Sequence, residues 1–231
     1  MTHLSVLQTI DGMARKTKQK KGKPAIALVV DGKNEKWYIS KVKEHYPCSA
    51  LRSAKIKPDL PGHKKIQELF DCTKTKLDKE YNFVILIIDL DEPLKKPEEL
   101  NKFKELYSKY IGIKDGTLSD KQKKKYKWMN QLLIIINNPC LEYWYLLHYK
   151  KTTKHYTDFN ALCQDLHKIS ELKDYSKTES YYNDSPNIYE RLNENNGLDT
   201  ARKNATPFES NKCKENGCSE MNKIFDYFDN L

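Results

Sequence analysis

Three unbroken apolar runs punctuate the chain: Ala25-Ile-Ala-Leu-Val-Val30, Phe83-Val-Ile-Leu-Ile-Ile88 and Leu132-Leu-Ile-Ile-Ile136. Aliphatic runs of this length, bounded by polar residues and without alternation, are what a strand buried on both faces requires, as in a parallel sheet. Between them the period changes to that of a helix. Trp37, Ile39, Val42 and Tyr46 predict a helix that stops before Pro47. Ile66, Leu69, Phe70, Thr73 and Leu77 predict a second, and Leu100, Phe103, Leu106, Tyr107 and Tyr110 a third over Glu98 to Ile113. Ala50 to Ile56 reads as a polar strand ahead of the Pro61-Gly62 turn. Gly116 introduces a lysine-rich loop, Lys121 to Lys127, before the last strong strand, and Leu141 to Tyr149 reads as an aromatic helix. Four strands with intervening helices predict an α/β, doubly wound sheet.

Outside residues 25–150 the pattern changes. Residues 1–24 end in a basic string of Arg15, Lys16, Lys18, Lys20, Lys21 and Lys23 with little to pack, which predicts a flexible arm, either solubilising or in contact with a phosphate backbone. Residues 151–231 are polar and rich in Asn, Lys and Tyr, with helical stretches such as Ile188 to Leu192 and Met221 to Leu231 and no convincing strand. They read as a helical C-terminal extension over one edge or mouth of the sheet.

Composition adds a partner class. Across 231 residues the formal net charge is +9, which favours an anionic partner, nucleic acid being the commonest. No stretch approaches the roughly 18 consecutive apolar residues of a membrane span, and the first residues lack a signal-peptide pattern; the expectation is a soluble, cytoplasmic protein. Of the six cysteines, Cys72, Cys140 and Cys163 fall in apolar-periodic segments, where a reduced buried thiol is the ordinary reading. Cys163 and His167 with Cys213 and Cys218 fit no standard zinc spacing, and are read as free thiols with a zinc site as the alternative.

The candidate chemistry lies where the strands end. Parallel sheets place function at the carboxyl ends of strands, and the first run passes into Asp31-Gly32-Lys33-Asn34-Glu35, the second into Asp89-Leu90-Asp91-Glu92. Asp31 and Glu35 open a helix, where acids serve either as caps and dipole partners or as ligands. Asp89 and Asp91 lie two apart in what reads as extended chain, so their carboxylates would point the same way. With no local opposite charge until Lys95, they would require a hard divalent cation, Mg²⁺ or Mn²⁺. Asn138 reads as a helix cap with Pro139 at the first helical position. Glu142, at the third, would complete a capping box or reach the metal cluster. Trp144, Leu147 and His148 read as core.

An acid-Gly at the end of the first strand, a second acid four residues on, and Asp-x-Asp at the end of the third strand resemble a Toprim domain, the metal-dependent fold of topoisomerases, bacterial primases and OLD-type nucleases. More narrowly, Val29-Val-Asp-Gly-Lys-Asn-Glu-Lys-Trp-Tyr38, Ile87-Ile-Asp-Leu-Asp-Glu92 and Asn138-Pro-Cys-Leu-Glu-Tyr-Trp-Tyr-Leu-Leu-His-Tyr149 resemble the RloB-like family, found near restriction-modification and other phage-defence genes. The similarity covers residues 25–150 and continues thinly through Tyr175-Ser-Lys177, Ile188-Tyr-x-x-Leu192 and Ala201-Arg-x-x-Ala205. It implies a Toprim-like, four-stranded, mainly parallel sheet and a metal-dependent nuclease of DNA or RNA. In that reading Asp31, Glu35, Asp89 and Asp91 hold one or two Mg²⁺ or Mn²⁺ ions, with Glu142 as a further ligand. Asp31 stands where Toprim domains more often carry Glu, one methylene longer. Lys177 matches a basic position in the family's C-terminal half, and with Lys121, Lys123, Lys124, Lys125 and Lys127 would contact phosphate. A defence-system partner protein or a second copy of the chain are further expected partners.

Two rivals are kept. A non-catalytic nucleic-acid-binding or regulatory subunit would keep the fold and depend on a partner for cutting. Phosphoryl transfer of haloacid-dehalogenase type shares an Asp-x-Asp pair, but Pro93 stands where that family usually has Thr or Val.

Overall fold

The computed structural model describes residues 25–30, 32–48, 51, 55–59, 65–79 and 81–231. The first strand, β1 (Ala25–Val29), leads to helix α1 (Lys33–His45) and then to β2 (Lys55–Asp59). This second strand is displaced from the expected Ala50–Ile56, of which residues 50 and 52–54 lie outside the described residues. It pairs in parallel with β1 alone, Ala25 opposite Lys55 and Val29 opposite Asp59. An edge strand with one neighbour is set by that neighbour's register more than by its own weak apolar pattern, and an edge tolerates Pro58.

Helix α2 (Ile66–Lys79) returns the chain to β3 (Phe83–Asp89), followed by a short helix α3 (Asp91–Lys95) and the long α4 (Pro97–Lys114). Helix α4 has Pro at its start, Glu98 and Glu99 in its first turn and Lys114 in its last, each matched to the helix dipole. The expected lysine loop is instead a helix, α5 (Asp120–Tyr126). Ser119 and Gln122 form a capping box at its start, a signal that the lysine run conceals. A 3₁₀ turn, Lys127–Gln131, leads into β4 (Leu132–Asn138), and then helix α6 (Glu142–Leu147).

The remaining chain packs as short helices: α7 (Phe159–Leu166), α8 (Glu179–Asn183), α9 (Ile188–Asn193), α10 (Gly197–Asn204) and, after a two-residue strand β5 (Cys218–Ser219), α11 (Asn222–Asp229). That strand corrects the expectation of none beyond residue 150. Two residues carry too little pattern to be read, and β5 exists only because β4 offers a free edge, to which it pairs antiparallel through Asn137–Ser219 and Asn138–Cys218. The sheet order is β2-β1-β3-β4-β5, the first four strands being parallel.

Alternation within the strands divides the core. Ile26, Leu28, Ile85, Ile87 and Ile135 face one layer, which α1, α6 and the C-terminal helices cover with residues such as Tyr38 and Phe225. Ala27, Val29, Val84, Leu86 and Ile134 face the other, closed by α2 and α4 through residues such as Phe70 and Phe103. Each buried aliphatic side chain contributes about 1.5–3 kcal/mol, and the strands and the helices that cover them both supply such residues. Arg202 on α10 joins Asp226 at 2.6 Å and Asp229 at 2.8 Å on α11, and Tyr46 donates to Asp229, fastening the chain's last helix to the end of α1. Among the described residues no helix is long and apolar enough to cross a membrane. The N-terminal arm, residues 1–24, lies outside the described residues.

Candidate functional site

Parallel pairing brings the carboxyl ends of β1, β3 and β4 to one edge, and most of the expected acids meet there. Asp89 ends β3 and is nearly buried. Its Oδ1 accepts from Asn137 Nδ2 at 3.0 Å and its Oδ2 from the Leu141 backbone N–H at 3.1 Å. Asn137 is itself fixed, because its Oδ1 accepts from Ser219 Oγ at 2.6 Å. The small strand β5 thus orients the Asp89 carboxylate through one intermediary.

Asp91 does not follow in extended chain. Leu90 has helical backbone (φ −97°, ψ −2°) and Asp91 opens α3, so strand alternation does not relate the two carboxylates. The cause is the turn after β4: the Pro139 carbonyl accepts from both Leu90 N–H (2.8 Å) and Asp91 N–H (2.9 Å), ending the strand at Asp89. Asp91 accepts from the Glu92 N–H at 2.8 Å. Burial lifts its carboxyl above the usual range, opposed by the Glu92 N–H and by the charges of Lys95 and Lys177.

Glu35, in the first turn of α1, is 4 % exposed. Its carboxylate folds back over Gly32, where an added Cβ would stand 2.7 Å from Oε2; glycine at that position leaves the carboxylate its space. Asp31 lies outside the described residues. Next to Glu35, Asn34 Nδ2 donates to Glu142 Oε1 at 3.4 Å, so the start of α1 faces the start of α6.

Glu142 is fully buried and is the first, not the third, residue of its helix. Oε1 also accepts from Tyr175 Oη at 2.7 Å and lies 3.1 Å from Lys177 Nζ, while Oε2 has no hydrogen-bond partner among the described residues. Asn138 is not a cap. Its side-chain amide donates to the carbonyls of Cys213 (2.8 Å) and Asn216 (2.7 Å), binding the loop before β5 to the end of β4. The expected cap is displaced because this loop, distant in sequence, presents two carbonyls that need a buried donor.

Lys177 also points into the acids, with 35 % of its side chain exposed. Its ammonium rests over the Phe159 ring at 3.7 Å. Burial alone would lower its pKa, but the charges of Glu142 and Asp89 and its hydrogen bond to Glu142 raise it above the ordinary lysine value, so it stays cationic. Burial pushes the Cys140 thiol well up, and the nearby Glu142 and Asp89 add to this; it is an inert thiol.

Three tyrosines that no motif singled out complete the setting. Tyr145 Oη donates to Tyr182 Oη at 3.1 Å, Tyr182 and Tyr175 share a hydrogen at 2.7 Å, and Tyr175 ends the chain on Glu142. Burial raises all three phenols far above their usual range, so they remain donors. Among 15 tyrosines nothing in the sequence distinguishes these; the adjacency of Tyr175 to the Lys177 motif was the available signal.

Elsewhere the expected core residues are core. Trp144 Nε1 donates to Tyr38 Oη at 2.8 Å, and His148 Nδ1 lies 2.7 Å from the Leu192 carbonyl. Cys163 meets His167 at 3.3 Å, whereas Cys218 opens β5 and Cys213 lies in the loop before it, and Cys48, Cys140, Cys163, Cys213 and Cys218 are free thiols. Among the described residues no three His, Cys, Asp or Glu side chains form a group arranged to hold a metal ion. Lys121, Lys123, Lys124, Lys125 and Lys127 are exposed on α5 and the turn after it. They precede the amino end of β4, the edge of the sheet opposite the acids.

No curated protein and no solved structure matches the chain. The family model described as RloB-like protein matches residues 26–227, from β1 into α11, and so takes in Glu35, Asp89, Asp91, Glu142 and Lys177 together. By that match, across both the sheet and the C-terminal helices, the chain belongs to the RloB-like protein family.

Proposed function

We propose that the chain is a Toprim-like, metal-dependent nuclease that hydrolyses phosphodiester bonds of DNA or RNA, acting in the cytoplasm in defence against phage or other foreign nucleic acid. The observation that carries this reading is the collection of Glu35, Asp89, Asp91 and Glu142 at one end of a parallel sheet, with Lys177 turned into them. Carboxylates withdrawn from water are costly to keep ionised together, and a bound cation offsets that cost. An all-oxygen donor set suits Mg²⁺ or Mn²⁺.

Glu35, Asp89 and Asp91 would hold the ion, with Asp31, which the sequence places between β1 and Gly32. Glu142 Oε2, buried without a hydrogen-bond partner among the described residues, is a ready further donor. The described residues alone do not make a three-ligand group, so the set depends on Asp31 or on water. When bound, the ion would supply an activated water and neutralise charge developing on the phosphate. The protein's own part is orientation. Asn137 and the Leu141 N–H fix Asp89, Tyr175 fixes Glu142, and the partly exposed Lys177 ammonium is placed to meet a phosphate oxygen.

The test is cleavage of plasmid DNA, single-stranded DNA and tRNA with Mg²⁺ or Mn²⁺, by wild type and by the Asp89→Asn/Asp91→Asn variant. We expect the variant to lose at least about 100-fold in rate, a few kcal/mol of transition-state stabilisation, with its circular-dichroism spectrum unchanged. Equal cleavage by a folded variant would sink the assignment. The ion pair between Lys177 and Glu142 favours a second reading, a non-catalytic nucleic-acid-binding subunit whose acids are already neutralised internally. Intact, salt-sensitive binding by wild type with no cleavage under any metal would establish it.

A further inference from the structure

Helix α5 is weakly anchored: none of its residues is fully buried, and Tyr126 at its end packs only partly buried against the core. Most helical stability in proteins comes from an apolar face packed on a core, and a seven-residue helix is too short to stand on propensity. Its charges oppose it further. Lys121–Lys124, Lys121–Lys125, Lys123–Lys127 and Lys124–Lys127 are like-charged pairs at helical contact spacing, each unfavourable by a few tenths of a kcal/mol. The Ser119–Gln122 capping box and Asp120 in the first turn hold its start. Among the described residues none of these five lysines forms an ion pair with a carboxylate within 4 Å; Lys125 lies over the Tyr126 ring at 5.2 Å and acts at longer range on Glu105 of α4. This is an exposed array of cations that no described carboxylate neutralises within 4 Å.

Its place in the fold matters as much. The turn Lys127–Gln131 runs directly into Leu132, which pairs with Val84 at the amino end of β3, whereas Asn137 pairs with Asp89 at the other end. Seven residues of strand at about 3.3 Å each put α5 some 20 Å from the acids.

We propose that α5 and the turn after it form a second nucleic-acid contact, distinct from the acid-lined edge, that grips the phosphate backbone without reading bases. Lysine is a flexible point charge rather than a planar fork, and phosphate contacts position a strand without specifying sequence. A strand held at both places must cover at least about 20 Å, or roughly six nucleotides at 3.4 Å each. The inference rests on nucleic acid being the partner, as in the proposed function, but neither on metal nor on cleavage.

The experiment is fluorescence anisotropy of labelled 30-nucleotide DNA and RNA in EDTA, where nothing is cut. Wild type is compared with Lys121→Gln/Lys123→Gln/Lys124→Gln/Lys125→Gln. A control of equal charge change carries Lys151→Gln/Lys173→Gln/Lys203→Gln/Lys214→Gln. Gln keeps helix propensity and all eight lysines are exposed, so both variants should fold. At 100 mM salt we expect the α5 variant to bind at least tenfold more weakly, with its logarithmic salt slope shallower by about three to four, and the control to stay within about twofold of wild type. Unchanged affinity and slope in the α5 variant would overturn the proposal, as would an equal loss in the control, which would make net charge the cause. Wild-type binding to phosphatidylserine vesicles that exceeds binding to either oligonucleotide and is lost in the α5 variant would assign the surface to membranes instead. Absence of cleavage in the nuclease assay leaves this result standing, so the two readings fail separately.

Discussion

His148 illustrates how a residue with an evident chemical capability is withdrawn from it by packing. Its Nδ1–H donates to the Leu192 carbonyl at 2.7 Å, Nε2 has no hydrogen-bond partner among the described residues, and burial takes its pKa down to about 3. The native ring is therefore neutral well below the pH at which an unfolded histidine takes up a proton. Between the unfolded value near 6.5 and about 3, the unfolded state binds the additional proton, so stability rises with pH across that window and falls as pH drops. Urea unfolding should show wild type losing about 1.6 kcal/mol from pH 6.5 to pH 5 through this group, the slope rising from half of 1.36 kcal/mol per unit at pH 6.5 toward the full value at pH 5. His148→Asn should be less stable at both pH values yet lose less between them. An equal pH slope in both proteins would show that the ring is not held neutral. Lys177 is the opposite case at the same scale, since neighbouring carboxylates outweigh its burial and keep it charged; the difference between the two is whether a counter-charge is within reach.

Elements are joined here by single polar side chains. Asn138 is the clearest, with both its amide hydrogens committed to the carbonyls of Cys213 and Asn216, so that one residue at the end of β4 holds the loop that presents β5. Asn138→Ala should cost about 2–3 kcal/mol, since the buried Cys213 carbonyl and the partly buried Asn216 carbonyl lose their donor. Asn138→Asp, nearly the same size, should cost more, because a carboxylate would face two carbonyl oxygens with nothing to donate. Chemical denaturation ranks the three proteins, and an Asp variant more stable than the Ala variant would show that side-chain volume matters there rather than the hydrogen bonds. Because Ser219 on β5 orients Asn137, and Asn137 orients Asp89, either change should also disturb the acid edge and slow any cleavage measured there.

Across the whole molecule, one apolar layer draws on residues from the two ends of the sequence. Ile26, Leu28 and Tyr38 share it with Leu162, Ile188 and Phe225, and Trp144 stacks on Phe225 with ring centroids 5.8 Å apart. Phe225→Ala should therefore cost about 3–5 kcal/mol and lower the stability of the sheet and the C-terminal helices together, in one transition. Tryptophan fluorescence and far-ultraviolet circular dichroism should give coincident unfolding curves; separated midpoints would mean that residues 151–231 come off first. Charge is partitioned on this scale as well, with acids at the carboxyl edge of the sheet and the α5 lysines at its amino edge.

Much of this was legible in the residues. The runs ending at Val30, Ile88 and Ile136 form β1, β3 and β4 because fully apolar segments have nowhere to go but the inside of a sheet, and the parallel arrangement then delivers Glu35 and Asp89 to one edge. Helices with a clear period, such as α2 and α4, fall within a residue or two of their patterns. What the sequence could not show depends on partners far away along it. The two-residue β5 owes its existence to an unpaired edge. The expected cap Asn138 found two distant carbonyls to satisfy instead. Asp91 left the extended path because the turn at Pro139 reached back to its N–H. The union of Tyr175 and Lys177 with Glu142 spans more than thirty positions of chain. Local composition determines which segments must be buried and which conformation they take, since burial and backbone preference act over a few residues. Hydrogen bonds and ion pairs between such segments are decided only when packing sets their separation, and the candidate site is made almost entirely of these.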